Sequence, residues 1–138
     1  MAAGSRPRFR CESPEVWHLA RALNKPVYSI ARRFPQDETF GLTSPLRRAP
    51  VSIYSNIAEG SGKNSDNDFA HFLVIAYGFS MEVVSQLFIA LDEGYLARDI
   101  FDQSSADANV LAGKLVALSK SPGRSPRISQ PSTLDSRP

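Results

Sequence analysis

The sequence predicts an all-α fold, an antiparallel up-down four-helix bundle with helices at about residues 14–34, 44–60, 66–93 and 97–120. Three observations carry that reading. Apolar residues recur at spacings of three and four in four separate runs. Residues that start and stop helices bracket each run. No stretch alternates apolar and polar residues strongly enough to compete as a strand. Helices joined by short connections pack most simply as antiparallel neighbours.

The first helix opens at Ser13-Pro14-Glu15. A serine caps, proline suits the first helical position, and glutamate faces the positive end of the helix dipole. Val16, Ala20, Leu23, Val27, Ile30 and Phe34 form one apolar stripe. Pro26 removes the hydrogen bond to the Ala22 carbonyl and predicts a bend, and Phe34-Pro35 ends the helix. Gln36 to Leu42 reads as a polar connection with Thr43 or Ser44 as the next cap.

In the second helix Pro45 falls in the first turn, where its missing N–H costs little. Pro50 lies further in and predicts a second bend. Val51, Ile53, Tyr54, Ile57 and Ala58 continue the apolar positions, and Gly60-Ser61-Gly62 reads as the stop. Ser65 and Asp68 stand at capping-box separation before the third helix. There Phe69, Phe72, Leu73, Ala76, Val83, Val84, Leu87 and Leu91 share a face, while Ile75, Tyr77, Phe79, Phe88 and Ile89 widen the apolar surface. So wide a surface must be covered on more than one side, by a central position or by another subunit. Gly94 is expected in the left-handed conformation just past the end. The fourth helix starts near Ala97 or Asp99 and uses Ile100, Phe101, Ser104, Ala108, Leu111, Leu115 and Leu118 inward.

The flanks differ in composition. Residues 1–12 are an arginine-rich polar leader, and 121–138 is a Pro/Ser/Arg-rich tail with few apolar residues; both are expected to be disordered around one folded domain, 13–120. Cys11 is the single cysteine, which excludes an internal disulfide and reads as a free thiol in a reducing compartment. There is no secretory h-region and no run of about 18 uninterrupted apolar residues. A cytoplasmic location without a membrane span is expected.

Net charge is +2, but the folded part is bipolar. Residues 13–63 carry seven Lys/Arg against four Asp/Glu, and 64–120 carry three against eight. That pattern argues against a uniformly cationic nucleic-acid binder. It suggests head-to-tail contacts, with helices one and two of one copy meeting helices three and four of the next. Such heterologous contacts close into rings.

Several blocks occur in a familiar order: Val16-Trp17, Val27-Tyr28, Phe34-Pro35, Phe40-Gly41-Leu42, RRAPVSI at 47–53, NIAEG at 56–60 and FLVIAYG at 72–78. With them the chain resembles the four-helix bundle protein family, first noted in open reading frames within intervening sequences of 23S ribosomal RNA genes. The likeness covers about residues 13–118. It implies an α-helical bundle that assembles as a ring-like homopentamer, with no established enzymatic activity. The family is similar to the accessory subunit of diversity-generating retroelements, a basic bundle that works with a reverse transcriptase and nucleic acid. This chain departs from the family at Pro45, at Tyr54 and at Val84, although Glu82 is kept. Its folded part is also acidic where that relative is basic.

Candidate chemistry is sparse. Asn56 and Glu59 lie three apart among apolar neighbours, and with Glu82 they read as a structural polar network. Asn56 would bond backbone and an arginine would pair with Glu59 or Glu82, since a buried carboxylate needs a partner. Arg32, Arg33, Arg47, Arg48 and Lys63 are candidates for contact with RNA or DNA, because arginine binds phosphate with two donors at once. The bland alternative is that one of Arg47 and Arg48 pairs with a carboxylate and the other is solvated. Trp17, Tyr28, Tyr54, Phe69, Phe72 and Phe79 read first as core or interface anchors, and second as base-stacking platforms. His18 and His71 lack a ligand set, so no metal or other cofactor is expected. Gly60-Ser61-Gly62-Lys63 lacks the spacing of a phosphate loop, and Ser61 has no His/Asp partners. The reading is a non-enzymatic homo-oligomeric scaffold or binding module, with an RNA- or DNA-binding accessory protein as the alternative.

Overall fold

A computed structural model describes residues 15–122. The expected leader, the Ser13-Pro14 start, Cys11 and nearly all of the tail lie outside the described residues. Four helices dominate: α1 (Glu15–Ala31), α2 (Ser44–Ser61), α3 (Asp66–Asp92) and α4 (Arg98–Lys120). Each packs on its neighbours in sequence, and α4 closes the square against α1. The pairings run antiparallel. Trp17 stacks on Tyr54 and Arg47 lies over Tyr28 between α1 and α2, Phe88 meets Phe101 between α3 and α4, and Lys114 bridges to Glu15 at 3.1 Å between α4 and α1.

The core follows the apolar periods. Val16, Ala20, Leu23, Val27 and Ile30 of α1 are buried, as are Leu46, Ala49, Ile53 and Ile57 of α2. Phe69, Leu73, Ala76, Val83 and Leu87 of α3 complete it, with Phe101, Ala108, Leu111 and Leu115 of α4. The helices run through both Pro26 and Pro50. At Pro50 the ring is itself buried in the bundle, so packing offsets the lost hydrogen bond.

Four local expectations change. The α1 helix stops at Ala31, three residues before Phe34. The connection is no open loop: a 3₁₀ turn (Gln36–Glu38) and a π turn (Thr39–Thr43) lead straight into α2. Because the backbone is already helical at Thr43, neither Thr43 nor Ser44 is needed as a side-chain cap, and Thr43 makes no such bond. Val51, assigned inward from its apolar character, is 41% exposed.

Helix ends elsewhere match their residues. The Asp68 N–H donates to Ser65 Oγ at 3.0 Å, which starts α3. Its far end closes on Gly94 at φ 79°, with the Tyr95 N–H donating to Ala90 O and the Gly94 N–H to Leu91 O. This is the pair of bonds by which a left-handed residue satisfies the last carbonyls of a helix.

That turn aims Tyr95 at the α1–α2 connection. Its ring packs on Phe34 and its hydroxyl donates to Glu38 Oε2 at 2.8 Å. The hydrogen bond to Glu38, followed by desolvation and by the neighbouring carboxylates, raises the Tyr95 pKa above 10.0. A proton held more tightly in the folded state stabilises fully below pH 10, and the contribution fades as pH rises through the raised pKa. Tyr95→Phe is therefore expected to flatten the alkaline limb of a stability-versus-pH curve and to change nothing in its slope near neutrality. Urea unfolding at stepped pH checks this.

Candidate functional site

The residues nominated from sequence do not converge. Asn56 is half-buried and donates to Ser52 O at 2.8 Å, a bond within its own helix. Glu59 is exposed and its partner is Lys63 at 3.6 Å, not an arginine. Glu82 is also exposed and accepts from Gln86 at 3.4 Å. No bond joins the three among the described residues, so the expected buried network is absent from the subunit. The reason is rotational: Ile57 takes the inward position of that turn and carries Glu59 to solvent.

The five cations also divide. Lys63 lies sixteen residues beyond Arg47, about 24 Å along a helix, and sits over Phe72 at the α2–α3 corner. Arg33 lines a recess of about 190 Å³ with Pro26, Ile30, Tyr95, Leu96 and Ile100. Arg48 is exposed. Only Arg32 and Arg47 come to one place. Arg47 lies over the Tyr28 ring at 5.7 Å with its Nε buried and lacking a partner atom, and Arg32 lines the depression that contains Tyr28.

That depression, about 370 Å³, lies along the junction of α1 and α2. Arg21, Lys25 and Arg32 bring three cations to it, Tyr28 and Val51 form its apolar wall, and Asn24 contributes a buried carbonyl oxygen without a hydrogen-bond partner. The sequence reading missed Arg21, Asn24 and Lys25. Their signal was present as a second stripe on α1, Trp17, Arg21, Lys25, Tyr28 and Arg32 at spacings of four, four, three and four. It runs beside the apolar stripe and belongs to the neighbouring helix face.

The second notable surface is apolar. On α3, Val74, Phe88 and Ile89 are 57, 51 and 50% exposed. The helix has a mean hydropathy of 1.7 over its most apolar window, with one third of that window buried. It is long and apolar enough to cross a membrane by length and composition, although Ser80, Glu82, Ser85 and Gln86 interrupt the apolar run, and within the bundle its inner face packs on α2 and α4. Among the described residues no cluster of His, Cys, Asp and Glu could hold a metal.

Fold and surface together define a class: a small all-α four-helix bundle whose accessible features are a cationic trough and an apolar helix face. The family model for the 23S rRNA-intervening sequence protein matches residues 12–117, and the chain belongs to that family. The crystal structure of a protein of unknown function from the S23 ribosomal protein family of Bacteroides thetaiotaomicron shares the fold. Its TM-score is 0.72 at 18% identity, covering 81% of this chain and 99% of that one. No curated protein matches the sequence.

Proposed function

We propose that the chain is a non-enzymatic subunit of a cytoplasmic homo-oligomer, a ring of five, serving as a scaffold or binding module. One observation carries this: α3 leaves three large apolar side chains at least half exposed on one helix. Scattered apolar exposure is ordinary, but three such side chains on the most apolar helix, Phe88 beside Ile89 and Val74 about 21 Å along it, favour a protein contact. The charge division supports a head-to-tail arrangement, because the cationic 13–63 half of one copy complements the acidic 64–120 half of the next. Light scattering at micromolar concentration is expected to give a mass near five times 15.1 kDa. A monomer, or partition of the protein into lipid vesicles, would sink the reading.

A second reading, an RNA- or DNA-binding accessory protein, is favoured by the trough. Among the described residues no carboxylate pairs with Arg21, Lys25 or Arg32. Cations without a carboxylate partner are available to phosphate. This reading expects retention on RNA or DNA at low salt that falls steeply as salt is added.

A further inference from the structure

We infer that the trough between α1 and α2 is a binding groove for a single strand of nucleic acid, with Arg21, Lys25 and Arg32 on its phosphates. The inference rests on the nucleic-acid reading and gives it a place, a strand state and a residue set that differs from the one nominated by sequence. The row from Arg21 to Arg32 spans eleven residues, about 16 Å along a helix. A single phosphate cannot meet both ends of such a row, whereas an extended chain of phosphates can. The depression along that row holds about 370 Å³, far less than a duplex occupies, so only part of a single unpaired strand can enter it.

Two aromatic rings share the α1 face with the three cations, Tyr28 inside the trough and Trp17 one turn before Arg21, and cations beside rings are the pattern of sequence-tolerant single-strand binding. Arg21 lies over Trp17 at 5.4 Å and Arg47 over Tyr28 at 5.7 Å. A guanidinium held against a ring has lost part of its rotamer freedom already, so less entropy is lost when its outward N–H groups engage a phosphate. Trp17 and Tyr28 are each half-buried, which fixes the rings while leaving part of each residue accessible.

The test uses the full chain with a labelled 20-nucleotide oligo-dT and a 20-base-pair duplex, titrated at several salt concentrations. The single strand is expected to bind at least ten times more tightly than the duplex. Arg21→Gln with Lys25→Gln and Arg32→Gln is expected to weaken single-strand binding at least tenfold at low salt. It should also reduce the slope of log affinity against log salt by about 2, since each single-strand phosphate contact contributes about 0.7. Arg33→Gln with Arg48→Gln, off the trough, should leave affinity within about twofold. Lys25→Glu alone, at an exposed position, repeats the loss if the triple variant fails to fold. Equal binding by wild type and triple variant with an unchanged slope overturns the groove while leaving nucleic-acid binding intact. No binding by wild type at low salt removes both. A triple variant whose assembly mass changes makes the trough a subunit contact and overturns the inference.

Discussion

Gly60→Ala is expected to destabilise the bundle by about 1–3 kcal/mol, the range for forcing an extra methyl into a packed interior. An ideal Cβ at Gly60 would lie 2.6 Å from Phe72 Cβ and 3.1 Å from Phe69 Cδ1. Phe72 Cβ is bonded to the α3 backbone and cannot rotate away, so relief requires α2 and α3 to move apart along their contact. Alanine's better helix propensity works against this by about 1 kcal/mol, less than a clash with an unmovable atom. Gly113→Ala supplies the opposite sign. It lies exposed within α4 with nothing within 4 Å of its would-be Cβ, and is expected to stabilise by about 0.5–1 kcal/mol. Chemical denaturation of both variants checks the pair. Equal shifts in one direction would mean that helix propensity, and not the α2–α3 approach, sets the Gly60 requirement.

Gly60 also shows where sequence reasoning stops. The Gly-Ser-Gly run marked the end of α2 to within one residue, since α2 ends at Ser61. Yet Gly60 is buried inside the helix, and its lack of a side chain serves an interhelical contact that no local pattern encodes. Elements set by one helix's own residues were legible: the Ser65 cap, the Gly94 turn and the apolar stripes. What depended on a second element was not. The α1–α2 connection becomes helical while Tyr95 holds Glu38 across 57 positions of sequence. Glu59 looked inward because its neighbours are apolar, but two residues of rotation from buried Ile57, about 200° on a helix, carry it to solvent. The cationic trough needed α2 beside α1 before Arg47 and Val51 could face Tyr28. A paired Arg47-Arg48 drew attention in sequence; in the fold the two point to different surroundings.

For the proposed ring, Val74→Lys with Ile89→Lys is expected to leave only monomers with the helical content unchanged. Both side chains are at least half exposed, so the fold of the subunit should shift by no more than about 0.5 kcal/mol. Phe88 is left in place because its ring packs on Phe101 at 4.8 Å and serves the bundle itself. Lysine suits the experiment better than glutamate. In a head-to-tail ring the α3–α4 half meets the cationic 13–63 half of the next copy, where glutamate would find partners and lysine would be repelled. Leaving one charge buried and unpaired costs about 3–5 kcal/mol. That is about two to four orders of magnitude in Kd at each contact. The matching Val74→Ala with Ile89→Ala removes apolar area without adding charge and should leave a weaker, concentration-dependent assembly. Sedimentation velocity on the three proteins distinguishes the cases. An undiminished mass for the lysine pair would show that the exposed α3 face is not the surface on which copies of this chain meet.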